Sequence, residues 1–264
     1  MSIHNFATAN LAGASGASSF YNGATSRSLR FDGGSYAHKT LSHTPDAQKG
    51  TWSLWYKPSP DGTTGWSLPH SINSRGYAGG GGSQAEASLY LNSGRPEMYQ
   101  QDSNSYTFRV QADGYWKDSS AWTHLVARLD TTQSTASDRV RFYINGVQLT
   151  NFSVASYPSQ NSSTRWGNTN NRIGVNDASG SPYALTYFHG QIADFHYTSG
   201  YSYAADSFGE FKNGAWIPLK DPSVTYGDAG WRFQFLQTGT SANASGIVAD
   251  TKSGNSNFQH HTLG

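Results

Sequence analysis

Hydrophobic side chains recur at every second position over short stretches of the chain, and turn residues separate these stretches. The clearest case is residues 139–152 (RVRFYINGVQLTNF), where the alternation is interrupted by Asn145 and Gly146. Both residues tolerate the positive φ angles of a type I′ turn, so this stretch predicts a β-hairpin. The side chains expected on the buried face of its first strand are Val140, Phe142 and Ile144.

Other stretches have the alternation or the aromatic content of strands. Residues 122–130 are apolar enough to be buried on both faces, and a phase shift in residues 188–197 indicates a β-bulge near Ala193 and Asp194. Trp66 is flanked by glycine and proline, which favours a loop. The remaining predicted strands are 29–31, 36–41, 51–57 and 231–235, with weaker candidates at 89–91, 98–101 and 106–110.

These segments together predict the fold class and the domain organisation. About ten strands without a sustained helical period indicate an all-β fold, a two-sheet antiparallel sandwich of jelly-roll type. No segment resembles a linker, so we expect one domain over residues 28–264. Residues 1–27 are rich in Ala, Ser, Gly and Asn and cannot bury enough apolar surface to order alone. We interpret them as an N-terminal arm that contacts a neighbouring subunit.

Composition excludes several classes of protein. Charged residues make up 13% and aromatic residues 14%, with 29 Gly, which disfavours helical bundles and doubly wound folds. The net charge of +1 offers no broad basic field, so we expect no nucleic-acid partner. The absence of Cys removes disulfides and thiolate metal sites. No apolar run reaches the roughly 18 residues of a membrane span, and the first residues lack a basic and an apolar region, so we expect neither membrane insertion nor an ordinary secretion signal.

A series of short motifs resembles a known family. In order along the chain these are SLRFDG at 28–33, TWSLWYK at 51–57, WTHLV at 122–126, FYING at 142–146 and GQIADF at 190–195. Together they resemble laminin G-like domains of the concanavalin A-like lectin and glucanase superfamily. The most similar variety occurs in structural and fibre proteins of tailed bacteriophages. The stretches that resemble later parts of those phage proteins are 208–218 (FGEFKNGAWIP) and 250–258 (DTKSGNSNF).

The resemblance implies a concanavalin A-like jelly roll but does not fix a ligand, because this fold carries many functions. It also implies a virion protein of a tailed phage, located in the extracellular particle and made in the host cytoplasm. Its expected partners are other virion proteins, bound through the arm, and further copies of itself, for instance in a trimer.

Catalysis of the glucanase type is disfavoured by the carboxylates. Retaining glycosidases need two carboxylates about 5 Å apart, which the family supplies from one strand in an E-x-D-x-(x)-E pattern. The chain has three glutamates (Glu86, Glu97 and Glu210), and none has an acidic partner two residues away. No G-x-S-x-G nucleophile motif occurs either, and we expect His124, His189 and His196 to be packed strand residues. The sequence therefore predicts a protein that is not an enzyme.

Calcium is the most plausible ion, although no cofactor is required by the expected function. Lectin-like jelly rolls bind it through loop carboxylates and amides. The candidate ligands are Asp250, Asn255 and Asn257, with Asp102 and Asn104 as a second set. The alternative is that Asp250 caps the backbone of its own turn.

Glycan recognition has the most physical support among binding functions. Aromatic rings stack on the apolar faces of sugars, and amides bind their hydroxyl groups. Residues 163–172 (STRWGNTNNR) combine one aromatic side chain with several amides in a predicted loop. The candidate sugar-binding residues are Trp166, Asn168, Asn170 and Asn171 in that loop, with Tyr106, Tyr115 and Trp116 elsewhere.

Four functional hypotheses follow. The leading one is a non-enzymatic virion protein in a tail fibre, head fibre or capsid decoration, which binds a host-surface glycan through many weakly adhesive copies. The alternatives are a purely structural capsid or tail cement protein, a free glycan-binding lectin, and, least favoured, a glycan hydrolase with two facing carboxylates.

Overall fold

The computed structural model describes residues 3–5, 25–59, 66–72, 85–103, 105–176, 186–235 and 259–262. These residues are mostly extended. The strands in chain order are β1 (Ile3–Asn5), β2 (Arg27–Asp32), β3 (Ser35–Thr40), β4 (Lys49–Pro58), β5 (Trp66–Ile72), β6 (Ala85–Asn92), β7 (Arg95–Asp102), β8 (Ser105–Ala112), β9 (Thr123–Asp130), β10 (Val140–Ile144), β11 (Val147–Gln148), β12 (Phe152–Ser156), β13 (Asn170–Ile173), β14 (Val175–Asn176), β15 (Thr186–Tyr187), β16 (His189–Ser199), β17 (Gly209–Lys212), β18 (Ala215–Pro218), β19 (Trp231–Phe233) and β20 (Gln259–Thr262).

Two eight-stranded sheets form the sandwich. The first has the order β1-β2-β16-β4-β9-β10-β11, with β19 also paired to β16, and the second has the order β12-β8-β7-β6-β5-β13-β3-β20. Every pairing in the described residues is antiparallel. The architecture is the two-sheet antiparallel jelly-roll sandwich expected from the alternation, and within the described residues no helix is long and apolar enough to cross a membrane.

The core between the sheets is built from the inward side chains of both. Trp52 of β4 packs against Trp166, with ring centroids 4.4 Å apart, and against Tyr197 of β16 at 5.1 Å. Fully burying one such side chain contributes about 1.5–3 kcal/mol, so this aromatic cluster is a main source of stability. Other core side chains that are at most 2% exposed include Leu29, Phe31, Leu54, Leu89, Leu91, Met98, Phe108, Val110, Leu125, Phe142, Phe195 and Trp231.

Two local predictions are confirmed. Strands β10 and β11 form the expected hairpin, and Asn145 and Gly146 have φ angles of 47° and 83°. Strand β16 has the expected bulge, where the register with β4 shifts between Ala193 and His196 and Asp194 adopts a φ of 41°. The bulge lies between two halves of β16, of which the first pairs with β2 and the second with β19.

Other local predictions are corrected. Residues 66–72 form strand β5, so Trp66 begins a strand and does not lie in a loop. The three weaker candidates are, by contrast, confirmed as strands (β6, β7 and β8), each of eight residues and longer than predicted. The glycine-rich residues 76–83 lie outside the described residues.

Part of the predicted N-terminal arm pairs with its own domain. Ile3 lies opposite Leu29, so β1 adds a strand to the edge of the first sheet beside β2. Residues 6–24 lie outside the described residues. The role of the arm in assembly stays a prediction.

The outer face of the first sheet is covered by residues 201–226, which we call the cover segment. Its Phe208 packs on Val126 and Tyr143, and its Trp216, in β18, extends the contact to Trp55. The segment is also bound to the sheet by hydrogen bonds, among them one of 2.8 Å from the backbone N–H of Ser199 to the carbonyl of Tyr226. The outer face of the first sheet is therefore a second, smaller core.

Candidate ligand-binding face on the second sheet

Alternation along β6 and β7 places polar and aromatic side chains on the outer face of the second sheet. Leu89 of β6 and Met98 of β7 point into the core, so their neighbours in sequence point away from it. The antiparallel register brings Ser88 opposite Tyr99 and Tyr90 opposite Glu97. The outward side chains of β6, β7 and β8, which we call the polar face, are Glu86, Ser88, Tyr90, Glu97, Tyr99, Gln101, Tyr106, Arg109 and Gln111.

A β-bulge directs Tyr106 onto this face. Strict alternation along β8 would put Tyr106 on the same side as the buried Phe108. The register with β7 shifts at Thr107, so Phe108 lies opposite Gln100 while Tyr106 lies opposite Gln101. An extra residue of this kind reverses the side on which the following side chain emerges. Tyr106 is consequently 51% exposed on the polar face.

Three tyrosines form a continuous row across the three strands. Tyr90 and Tyr99 meet edge to face with ring centroids 5.3 Å apart, and Tyr99 meets Tyr106 in the same way at 5.4 Å. The first two are buried, and only Tyr106 opens to solvent. Edge-to-face pairs contribute about 0.5–1.5 kcal/mol each beyond burial, so the two buried rings fix the position of the exposed one.

A hydrogen-bonded carboxylate lies at the centre of the face. Arg109 donates to Glu97 from Nε at 2.6 Å and from Nη2 at 3.2 Å, and Asn92 donates to the same group at 3.0 Å. Gln111 donates to it as well. The guanidinium of Arg109 also lies 5.0 Å from the Tyr106 ring centroid, so one arginine links the buried carboxylate to the exposed aromatic ring.

The electrostatics of the face follow from these contacts. The hydrogen bond to Glu97 raises the pKa of Arg109, which keeps this group charged. Burial raises the pKa of Tyr90 far above its ordinary value, and the charge of Glu97 adds to the effect. Burial raises the pKa of Tyr106 too, against the opposing charge of Arg109. Tyr90 and Tyr106 are therefore neutral hydroxyl groups at physiological pH.

The second acidic residue of the face is also held by side chains. Glu86 accepts hydrogen bonds from the Tyr99 hydroxyl and, at 2.9 Å, from Gln101. Its register partner Gln101 lies four residues along β7 from Glu97, which corresponds to about 13 Å of strand. The two glutamates are thus separated along the strand, and each carboxylate is held by its own set of side-chain donors.

The loop after β8 adds a second exposed aromatic residue at one end of the face. The backbone N–H of Trp116 donates to the Gly94 carbonyl at 2.8 Å, which holds the loop against the β6–β7 turn. Tyr115 is 55% exposed there, and the guanidinium of Arg95 lies 4.2 Å from its ring centroid. Trp116 itself is half-buried and packs against the core.

Most of the predicted sugar-binding loop has a different role. Trp166 is fully buried against Trp52, so its ring offers no surface to a sugar and the prediction for this residue is wrong. Asn168 accepts a hydrogen bond of 2.9 Å from the backbone N–H of Asn170, and Asn171 is buried and donates to the Thr169 carbonyl at 3.1 Å. These amides stabilise the turn that inserts the tryptophan between the sheets.

Of the candidate calcium ligands, one lies within the residues that the structure describes. Asp250, Asn255 and Asn257 lie outside them, as does Asn104. Asp102 lies within them, and its carboxylate is engaged by Arg165 and, at 3.1 Å, by Gln100. Among the described residues no three acidic, histidine or cysteine side chains cluster as metal ligands. The predicted calcium site at Asp250, Asn255 and Asn257 is therefore not tested. The second predicted site loses support, because the Asp102 carboxylate is already bound by Arg165 and Gln100.

Two buried histidines lie between the first sheet and the cover segment. His124 on β9 accepts a hydrogen bond at Nδ1 from the Trp216 indole at 2.8 Å, so its Nε2 carries the proton and donates to Ser53 at 2.9 Å. Burial lowers the pKa of His124 to about 3, and the neighbouring His196 contributes to this shift. His124 is therefore neutral and is closed off from solvent.

The second histidine belongs to a charged network. His196 binds Asp194 through Nε2 at 3.1 Å and the Tyr226 hydroxyl through Nδ1 at 2.7 Å. Arg232 binds both oxygens of Asp194, at 2.8 and 3.1 Å. Burial alone would raise the pKa of Asp194, but His196 and Arg232 outweigh it and lower the pKa to about 2. The side chains of Asp194, His196 and Arg232 are at most 2% exposed, so this charged network supports the fold.

Solved structures that match the chain do so at low identity and with TM-scores below 0.5. A protein of Bacteroides ovatus, named as a candidate carbohydrate-binding protein, is 11% identical with a TM-score of 0.48 over 88% of this chain. This chain spans 61% of the length of that protein. A carbohydrate-binding module of the Ruminococcus gnavus IT-sialidase, bound to α2,3-sialyllactose, is 14% identical, with a TM-score of 0.40 over 62% of this chain and 86% of that one.

Another of these structures is the enzymatically active domain of tailspike protein 2 from bacteriophage CBA120. It is 10% identical, with a TM-score of 0.39 over 70% of this chain and 26% of that one. At these identities the likeness is one of fold alone. No curated protein sequence matches the chain. A family model for the concanavalin A-like lectin/glucanases superfamily matches residues 12–205, and the chain belongs to that superfamily.

Proposed function

We propose that this chain is a non-enzymatic carbohydrate-binding protein and that the polar face of the second sheet binds the sugar. The observation that carries the proposal is the position of Tyr106, which a β-bulge turns outward and which Tyr99 and Arg109 hold in place. An exposed aromatic ring on rigid strands, next to hydrogen-bonding side chains, matches the chemistry of a sugar with apolar C–H faces and many hydroxyl groups.

The arrangement of the carboxylates favours binding over hydrolysis. Glu97 receives hydrogen bonds from Arg109, Gln111 and Asn92, which fix it as an acceptor. Glu86 accepts hydrogen bonds from Tyr99 and Gln101. Its backbone position lies about 13 Å along the strand direction from that of Glu97. Neither group is poised as the nucleophile or proton donor that glycoside hydrolysis needs.

We propose further that this chain is a component of a phage particle. The stretches 208–218 and 250–258 resemble phage structural proteins, and on this basis the domain would be displayed in several copies on a tail fibre, head fibre or capsid. Linked copies raise the effective concentration of each further binding site, so weak individual affinity suffices for attachment. Copies of the chain would associate with one another and, through residues 1–27, with other virion proteins.

A structural cement protein is the second candidate, and one apolar patch favours it. Phe211 of β17 is 60% exposed and lies against Trp216, with ring centroids 4.9 Å apart. The Trp216 ring covers Gly146, whose neighbour Val147 is also 60% exposed at the edge of the first sheet. Exposed apolar groups of this kind are typical of protein–protein contacts.

The test is a glycan array with the purified full chain, followed by titration of the best glycan. Tyr106→Ala should raise the dissociation constant by about tenfold, since a lost aromatic contact is worth about 1 kcal/mol or more. Tyr201→Ala is the matched control, because Tyr201 is 41% exposed on the cover segment, on the other side of the sandwich. The absence of any glycan bound at millimolar concentration would refute the proposal and favour the cement protein.

A further inference from the structure

Two cations share one exposed ring at the end of the polar face. The guanidinium of Arg95 lies 4.2 Å from the centroid of the Tyr115 ring, and the ammonium of Lys117 lies 5.2 Å from the same centroid. Attraction between a cation and an aromatic ring holds both charges near each other despite their mutual repulsion. The result is a local concentration of positive charge in a protein whose net charge is only +1.

Neither Arg95 nor Lys117 forms an ion pair with a carboxylate of the described residues. Four arginines form ion pairs with acidic residues, namely Arg109 with Glu97, Arg141 with Asp138, Arg165 with Asp102 and Arg232 with Asp194. Arg95 instead donates to the neutral side chain of Gln111 at 3.4 Å.

The acidic residues of the same loop are Asp113 and Asp118. Asp118 accepts hydrogen bonds from the backbone and the hydroxyl of Ser120, at 2.8 and 2.6 Å. These bonds, helped by the charge of Lys57, lower the pKa of Asp118. Asp113 is exposed, and its backbone N–H binds the Asn151 carbonyl at 3.1 Å. Neither carboxylate forms an ion pair with Arg95 or Lys117 in the described residues.

The position of this pair relative to Tyr106 sets the size of the ligand. Tyr106 lies opposite Gln101, and Arg95 lies six residues further along β7, which corresponds to about 20 Å of strand. Between these two ends lies Arg109, whose side chain is partly exposed, while Gln111 beside it is buried. A single sugar cannot touch both ends, whereas a chain of several sugars lying along the strands can.

We propose that the polar face recognises an extended oligosaccharide that carries a negatively charged group. The inference rests on the carbohydrate-binding function proposed above. Tyr106 stacks on a sugar ring at one end, and at the other end Arg95 and Lys117 bind a carboxylate or sulfate through charge-assisted hydrogen bonds. Arg95 can reach such a group without breaking an ion pair.

The experiment compares oligosaccharides of equal length and backbone in three forms: neutral, carboxylated and sulfated. Binding to the full chain is measured by titration at low and at high sodium chloride. We expect at least one charged form to bind about tenfold more tightly than the neutral form, with the difference lost at high salt. Comparison of the carboxylated and sulfated forms identifies which anion the pair prefers.

The variant with both Arg95→Gln and Lys117→Gln should lose the preference for the charged form and keep the affinity for the neutral one. Lys212→Gln is the matched control, because Lys212 is exposed on β17, away from the second sheet. An unchanged thermal unfolding midpoint shows that the double variant is folded. If the wild type binds neutral and charged forms equally, or the double variant keeps the preference, the inference is wrong. If no form binds, the carbohydrate-binding function itself is refuted.

Discussion

The neutral, buried His124 makes the stability of the protein depend on pH. In the unfolded chain this histidine has a pKa near 6.5, whereas in the folded protein burial lowers the pKa to about 3. Above pH 6.5 both states are neutral and the residue contributes no pH dependence. As the pH falls below 6.5, the unfolded chain binds a proton that the folded protein does not, so the folded state loses stability.

The size of the effect follows from the shift. Each pH unit between the two pKa values costs about 1.4 kcal/mol, so acidification to about pH 4.5 removes about 3 kcal/mol of the free energy of unfolding. That is a large fraction of the 5–15 kcal/mol typical of a folded domain. The loss ends near pH 3, where the folded protein also binds the proton.

The assay is urea unfolding followed by tryptophan fluorescence, for the wild type and for His124→Asn, at several pH values from about 7.5 to 4.5. The asparagine amide stays neutral, so the variant keeps the contributions of all other titrating groups and loses that of His124. The variant should be less stable at neutral pH, and its disadvantage should shrink by about 3 kcal/mol across the range. A constant difference between the two proteins would refute the assignment. An NMR titration of the imidazole in the wild type gives the same answer without a variant, since protonation near pH 6 would contradict it.

Three further predictions concern the buried groups and the ion. Asp194→Asn should destabilise the protein by about 3–5 kcal/mol in urea unfolding, because it leaves the charge of Arg232 buried without its partner, and a change below 1 kcal/mol would argue against the network. Trp166→Phe should lower the thermal midpoint by several degrees through a lost contact with Trp52, yet leave glycan affinity unchanged, and a selective loss of affinity would restore its role in the site. Millimolar calcium should raise the thermal midpoint of the wild type but not of Asp250→Asn, and an equal response of both proteins would exclude that residue as a ligand.

The sheets were predictable because alternation and turn chemistry are local. The hairpin at Asn145 and Gly146 and the bulge at Asp194 can be recognised in the sequence, since each depends on a few neighbouring residues. Strand β5 was missed because proline and glycine near Trp66 are typical of loops, although the strand is stabilised by pairing with β6 and β13. Pairing between distant segments leaves no local signal.

The site was harder to predict for the same reason. The spacing of carboxylates in sequence describes residues on one strand, so it does not reveal that the β6–β7 hairpin brings Glu86 and Glu97 onto one face. Tyr106 and Tyr115 were proposed from their residue type, and the structure exposes both, but the bulge that orients Tyr106 depends on the register with β7. Trp166 was misplaced because its polar neighbours suggested exposure, whereas the turn they form inserts the ring between the sheets.

Because the cover segment buries one side of the sandwich, substitutions on the two sides differ in their effect on stability. Side chains beneath it, such as Val126 and Phe208, are nearly inaccessible, so most substitutions there lower stability. Tyr106, Tyr115 and Lys117 are themselves exposed on the opposite side of the sandwich, so replacing them has little energetic cost for folding, whereas the outward side chains of β7 between them are buried. Under the proposed binding function, a few changes among the exposed side chains would alter the ligand, while the protected side conserves the architecture that presents them.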